Sequence, residues 1–261
     1  MSASERRERI REQILSEGEV TFASLAQVFG VSEMTIRRDV DALERQGVAR
    51  RVTGGAIAFH GKAVEPSFKS RAAEAVAGKA EMAELVAARL QPKETVLLDS
   101  GSSALAVAKA LKGRELGLTV VTPSLLVAME LVDEPDTTVL LTGGLVRPGE
   151  LSLIGAETEA ALGLYNCDTY VMGVAGVDGK RGISEYHRDE GNVKRAAIRA
   201  SDRVILLADS HKLGRVRLFN VASLSDISII VTDGDAEHPT LQVAREAGVE
   251  VLSVPTSEEK A

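Results

Sequence analysis

Apolar residues near the start of the chain recur with helical spacing in three short runs. Ile10, Ile14 and Leu15 share one side of a segment that stops at Gly18, and Phe22, Leu25, Ala26 and Phe29 do the same ahead of Gly30. Ile36, Val40 and Leu43, at offsets of four and seven, define the buried face of a third helix. Ser32 stands where an N-cap belongs and Gly47 where a left-handed C-cap is easiest, so this helix is predicted over Glu33 to Gln46. Gly30-Val31-Ser32 is then a tight turn between two helices. After Gly47, "VARRVTGGA" places Val48, Val52 and Thr53 around a hairpin, with Gly54-Gly55 permitting close backbone approach. Three helices with a small turn, followed by a hairpin, predict a winged helix-turn-helix over residues 1–58.

Downstream the pattern changes. "HGKAVEPSFKSRAAEAV" mixes charge with Gly61 and Pro66, as a connector does, and residues 59–73 are read as a linker. A helix over about Glu74 to Leu90 opens a second domain, residues 74–255. Six apolar runs of strand length follow: "TVLLD" to Asp99, "LTVVT" to Thr122, "TTVLLT" to Thr142, "DTYVMGV" to Val174, "RVILLAD" to Asp209 and "ISIIVTD" to Asp233. Near-continuous apolar strands require a sheet covered on both faces, and helical segments such as "ALAVAKAL" and "SLLVAMELV" lie between them. The second domain is predicted to be α/β with a mostly parallel sheet.

Charge separates the two domains. The chain of 261 residues carries a net charge of −7, but arginines and acids balance over the first sixty residues, so the acidity belongs to the second domain. That disfavours contact of the second domain with nucleic acid or an anionic membrane. From Met1 to His60 every basic residue is Arg, which suits bidentate contacts to phosphate and guanine. Thr35, Arg37 and Arg38 lie off the apolar stripe of the third helix, near the end that enters the major groove in helix-turn-helix proteins. Gly47 through Val64 holds Arg50, Arg51 and Lys62 and no acid. A single cysteine, Cys167, excludes a disulfide framework. There is no run of eighteen apolar residues and "MSASERRERIRE" lacks a signal peptide's apolar segment, so a cytoplasmic protein without a membrane partner is expected. The chain has no Trp, which makes stacking on single-stranded nucleic acid a poor reading.

In a parallel α/β sheet the ligand lies beyond the carboxyl ends of the strands. Asp99-Ser100-Gly101-Ser102-Ser103 brings hydroxyls and a glycine to such an end, just before a helix whose first amides favour an anion. Thr122 and Ser124 repeat the arrangement, and Gly143-Gly144 make a third small-residue loop. Asp178, Asp209 and Lys212 stand at later strand ends. Singly each loop is what any helix cap looks like; together they suggest a phosphate held by hydroxyls and amides.

"VSEMTIRRDVDALERQGVARRVTGGA" resembles the N-terminal signature of the DeoR family of bacterial transcription regulators, VSxxTIRRDLxxLexxGxxxRxxGGA, with Val40 in place of the usual Leu. The resemblance places Thr35, Arg37 and Arg38, preceded by Ser32, in the recognition helix and Arg50 and Arg51 at the wing; these six are the candidate DNA contacts. "EPSFKSR" is similar to the family's E-P-x-x-x-R element after the wing. The likeness runs from Val20 to about Asp233 and implies a sensor domain similar in fold to ribose-phosphate isomerase. The family's DxGTT, TNS, GG, E-x3-K and DxxKxG elements correspond to Asp99 to Ser103, Thr122 to Ser124, Gly143-Gly144, Glu190 with Lys194, and Asp209 with Lys212. Pro123 replaces the usual Asn, removing an amide side chain and a backbone donor, so the sugar end of the pocket is expected to depart from the family pattern.

What the resemblance implies is a repressor of a sugar-metabolism operon whose binding to double-stranded operator DNA is modulated by a phosphorylated sugar. A homodimer or tetramer is expected, because one winged helix reads too few base pairs. The competing reading is a sugar-phosphate isomerase with an appended DNA-binding domain, for which Asp178, Glu185, Glu190 and Lys212 supply the residue types of a proton shuttle. A scaffold using the helix-turn-helix for protein contacts is a third. No cofactor is called for, and His187 and His211 have no metal-ligand spacing.

Overall fold

The computed structural model describes residues 2–45, 48–58 and 62–254, in two compact units spanning residues 1–74 and 75–261. The first unit begins with α1 (Ala3–Glu17), fastened by a capping box between Ser2 and Glu5 and ended by Gly18 at φ 74°. β1 (Glu19–Thr21), α2 (Phe22–Phe29) and α3 (Glu33–Arg45) follow, α2 closing on Gly30 in the left-handed conformation. β2 (Ala49–Val52) and β3 (Gly55–Ala58) form the hairpin, and β1 adds to it antiparallel, giving the strand order β1-β3-β2. Gly55 is there because a Cβ would meet the Val20 carbonyl oxygen at 2.1 Å. Ile10, Ile14, Phe22, Leu25, Ile36, Val40 and Leu43 close the core, as the spacing requires. Gln46 and Gly47, the expected helix end and cap, lie outside the described residues, as do His60 and Gly61 of the expected connector.

A charge the periodicity left unexplained is buried with the core. Asp39 on α3 is 6% exposed and accepts from Arg6 Nε of α1 at 2.7 Å, with Arg7 at 3.8 Å. The pair fixes α1 across α3. The segment read as a linker carries a short helix, α4 (Phe68–Ala73), capped by Ser67, because "SFKSRAA" offers a cap and helix formers directly after Pro66.

The second unit is a doubly wound α/β structure. Its elements are α5 (Val76–Ala87), β4 (Thr95–Leu98), α6 (Ser102–Leu111), β5 (Thr119–Thr122), α7 (Leu125–Leu131), β6 (Thr138–Leu141), β7 (Leu145–Val146), β8 (Leu153–Ile154), α8 (Ala156–Leu162) and β9 (Cys167–Gly173). They continue as β10 (Gly176–Asp178), β11 (Gly182–Glu185), α9 (Arg188–Arg199), β12 (Ser201–Leu207), β13 (Phe219–Ala222), β14 (Ile229–Thr232), α10 (Pro239–Glu246) and β15 (Glu250–Ser253). Seven strands pair in parallel in the order β15-β14-β12-β9-β4-β5-β6. Alternation along each strand feeds two cores: Val96 and Leu98 of β4 pack with α5, α6 and α7, while Leu97 faces the side of α8, α9 and α10. The six apolar runs all become strands of this sheet.

Three features differ from the expectation. The opening helix is shorter than Glu74 to Leu90. β15 completes the sheet from "EVLS", whose polar ends hid it. The stretch after Gly173, where only Asp178 at a strand end is singled out, contributes to a small antiparallel sheet, β10-β11-β13, and β7 and β8 form a two-stranded ribbon. Among the described residues no helix is long and apolar enough to cross a membrane.

Candidate functional site

On the first unit, Ser32 Oγ accepts the Thr35 amide at 3.3 Å and lies 3.0 Å from Thr35 Oγ1, so the start of α3 is capped by side chains that remain on its outer face. The four arginines divide into two kinds. Arg37 stacks over the Phe22 ring at 4.5 Å and approaches Glu33 at 3.5 Å, while Arg51 pairs with Asp41 at 2.7 Å and reaches the same ring at 5.9 Å. Its backbone amide also donates to Glu44 at 3.0 Å. Arg38 and Arg50 are exposed, and among the described residues neither has an ion-pair or hydrogen-bond partner. Two guanidinium groups therefore stand ready for an outside anion or base edge, and two are held by the unit's own side chains.

On the second unit, β9 and β4 are neighbours although the chain builds outward from them in opposite directions, so the crevice between their carboxyl ends is the switch point at which such sheets bind ligands. Asp99, directly after β4, is 1% exposed; its Oδ2 accepts the Gly173 amide of β9 at 3.0 Å. Lys194 of α9 pairs with Asp99 through the same oxygen, donates to the Gly173 carbonyl at 2.9 Å and lies 3.5 Å from Glu185 at the end of β11. Tyr170 is buried in β9, and burial together with the nearby Asp99 carboxylate pushes its phenol well above the usual range. Burial alone would depress the Lys194 ammonium, but Asp99 and Glu185 overcome it and hold its pKa above the ordinary lysine value.

Glu190 sits one helical turn before Lys194 and on the same face. Its Oε1 accepts from Arg147 at 2.6 Å and from Ser152 Oγ at 3.0 Å, both in the ribbon segment. Burial raises this carboxyl, and Arg147 with Lys194 more than reverses it, leaving the group below the usual carboxylate range. The floor of the crevice thus holds Asp99, Glu185 and Glu190 against Lys194 and Arg147.

The remaining candidates fall around this floor with different jobs. Ser100 and Gly101 lead into α6 and Ser102 and Ser103 open it, with Gly101 at φ 98° as an N-cap that offers no side-chain bond. The hydroxyls of the next loop serve the loop itself: Thr122 Oγ1 accepts the Ser124 amide at 3.1 Å and Ser124 Oγ caps α7 through the Val127 amide at 3.3 Å. Gly143 accepts from Thr158 Oγ1 at 2.8 Å, and a Cβ at Gly144 would meet that hydroxyl at 2.0 Å, so this pair makes room for α8. Asp178 accepts the Lys180 and Arg181 amides at 3.0 and 2.8 Å, closing the β10–β11 turn. Beyond β12, Lys212 Nζ lies 3.0 Å from Asp209 Oδ2 in a 3-10 turn over Ser210–Lys212. Burial raises the Asp209 carboxyl, but Lys212, Lys79 and His211 bring it below its usual value. Tyr170, Arg147 and Ser152 carried no signal in the sequence: one reads as a core aromatic, the others as polar residues of a turn. Among the described residues no group of three or more His, Cys, Asp and Glu side chains could hold a metal ion.

A winged helix-turn-helix joined to a doubly wound α/β unit, with unpaired arginines on the first and a polar crevice at the switch point of the second, defines a ligand-responsive transcription regulator. The chain belongs to the DeoR family: residues 6–62 match the DeoR-like helix-turn-helix domain and residues 74–234 the DeoR C-terminal sensor domain. It is similar to the putative aga operon transcriptional repressor of Escherichia coli O157:H7, 33% identical over 253 residues, covering 96% of this chain and 94% of that one. The glycerol-3-phosphate regulon repressor of Escherichia coli K12 is 31% identical over 243 residues, 93% of this chain and 96% of the relative. Among solved structures, a probable sor operon regulator from Shigella flexneri overlays with a TM-score of 0.43 at 13% identity, over 66% of this chain and 89% of that one. Ribose 5-phosphate isomerase A from Methanocaldococcus jannaschii gives 0.39 at 15% identity, over 52% and 53%. Overlays of that size carry no argument about activity, and the family is one of regulators, not enzymes.

Proposed function

We propose that the chain is a cytoplasmic repressor of a sugar-metabolism operon, acting as a homodimer or tetramer on double-stranded operator DNA, with a phosphorylated sugar as its effector. The observation that carries the DNA half is the exposure of unpartnered Arg38 on α3 and Arg50 on the wing. Arg38, near the groove-entering end of α3, takes the base-reading role, with Thr35 and Ser32 beside it; Arg50 takes a phosphate. Arg37 and Arg51 set the shape of this surface.

The effector half rests on the charge of the crevice. Three carboxylates against two cations leave its floor with acceptors and a net negative charge, which suits sugar hydroxyls and repels phosphate. The phosphate then lies away from the floor, against Ser102, Ser103 and the first amides of α6, with Lys212 as its cation. The relatives named for an aga operon and a glycerol-3-phosphate regulon fit such an effector.

The test starts from a duplex that the full chain selects from a random-sequence pool. Operator affinity is followed by fluorescence anisotropy while ribose 5-phosphate, fructose 6-phosphate, glucosamine 6-phosphate and glycerol 3-phosphate are added in turn. A steep fall of affinity with salt, and a change in affinity with at least one sugar phosphate, are expected. Lys212→Ala, or Ser102→Ala with Ser103→Ala, should remove the response and leave operator binding intact. A chain that selects no sequence, or that answers to none of the four, refutes the corresponding half.

A further inference from the structure

One half-buried carboxylate of the second unit has no part in the proposed contacts to sugar or phosphate. Asp233 follows β14, and its Oδ1 accepts the backbone amide of Ser210 at 2.7 Å, the first residue of the turn that carries Lys212. On its other side it lies against the first turn of α5: a Cβ built on Gly78 would stand 2.2 Å from Asp233 Oδ2. That turn has no side-chain cap of its own, and a carboxylate at a helix N-terminus complements its unpaired amides. Lys79, the next residue, is 5% exposed. Only Glu74 and Ala75 separate α5 from α4, the last helix of the DNA-binding unit, and Ala75 takes a left-handed conformation, φ 47°, that a residue with a Cβ seldom adopts.

We infer that Asp233 is a positioning residue that relays occupancy of the effector crevice to the DNA-binding unit, by tying the Ser210–Lys212 turn to the start of α5. The inference rests on the reading of Lys212 as the phosphate's cation. An arriving phosphate competes with Asp209 for Lys212 and repels Asp209, so the turn must move. The Ser210 amide then draws on Asp233, and Asp233 seats or releases the helix that begins two residues after α4. The absence of a side chain at Gly78 lets the carboxylate come this close, and the buried ammonium of Lys79 lies in the same field as Asp209. Coupling between the sites requires a second arrangement in which this contact is broken, against the made one seen here.

The experiment uses the full chain, the selected duplex and the four sugar phosphates named above. In the native chain the effector changes operator Kd by a factor on the order of 5 to 150, the range of ordinary coupling free energies. Asp233→Ala should reduce that factor to under about twofold while operator Kd without effector stays within about twofold of native. Asp233→Asn, which keeps an oxygen for the Ser210 amide, should recover part of the response; a residue serving stability alone would not show this split. Gly78→Ala, which pushes the carboxylate away from the helix side, should uncouple in the same manner and stands in if Asp233→Ala fails to fold. Hydrogen exchange without effector should rise at Ser210–Leu213 in the Gly78→Ala chain although the substitution lies on α5. A native response with an equal response in either folded variant overturns the relay alone. A native chain that answers to no sugar phosphate overturns the reading of the crevice and the relay with it.

Discussion

Lys194→Met removes one ammonium from a site that is 4% exposed and keeps most of the side-chain volume. At an effective dielectric of about 20, a charge pair at the 3.5 Å separation of Lys194 and Glu185 is worth about 5 kcal/mol before desolvation, and Asp99 is closer still. Burial of the ammonium cancels part of that gain, yet the variant leaves two carboxylates buried without their shared cation. Breaking a buried pair from one side costs about 3–5 kcal/mol. For a unit of this size each kcal/mol moves the melting temperature by roughly 2–4 °C, so a fall of roughly 6–20 °C is expected. Differential scanning calorimetry of the full chain measures it, with the first unit's transition as an internal reference that should not shift. The native pKa of Lys194 is raised, so its contribution is fully present below the ordinary lysine value of about 10.4 and is lost as pH rises through the higher folded value. The difference between native and variant should accordingly stay level from about pH 7 to pH 9. A Lys194→Met chain that melts within a degree or two of native, about the effect of a surface substitution, refutes the reading of this cluster as a mutually dependent buried network.

Four further outcomes are expected. Arg38→Ala should leave stability within about 0.5 kcal/mol of native and cost about 1–3 kcal/mol of sequence discrimination in anisotropy competitions, whereas Arg50→Ala should weaken all duplexes alike. Arg37→Ala should instead lower the first unit's stability by about 0.5–1 kcal/mol through its lost contact with Phe22, measured by urea denaturation. Glu190 and Asp209 have depressed folded pKa values, so they stabilise above the usual carboxylate range and that contribution should disappear as pH falls below about 4, read as a falling urea midpoint. Burial pushes the Cys167 thiol up to about 11, so iodoacetamide at neutral pH should label it only after the chain is unfolded, as mass spectrometry would show.

The parts of this fold legible beforehand are those in which one physical demand acts along a stretch of chain. Two-sided burial writes β4, β5, β9, β12 and β14 as continuous apolar runs, and one-sided burial writes α3 as Ile36, Val40 and Leu43. β1, three residues long, is too short for either pattern, and the β10-β11-β13 sheet is interrupted by glycines and charges whose pairing is non-local. The candidate site is harder for a chemical reason: a hydroxyl or carboxylate that closes a turn looks the same in sequence as one that holds a ligand. Thr122, Ser124 and Asp178 proved to be bonded to their own loops, while Asp99 and Lys194, 95 residues apart, meet across the sheet. Arg37 and Arg38 differ only in what surrounds them, and the ring that engages Arg37 lies in another helix.

That ring has a wider effect. Phe22 is almost fully buried, and its ring meets one guanidinium from α3 and one from the hairpin, so a single benzyl group calibrates the gap between helix and wing. Exchange it for leucine and the interior still closes, but the two guanidinium groups lose their common rest. On the proposed reading of this surface, both arms would then loosen together, through one residue of the interior.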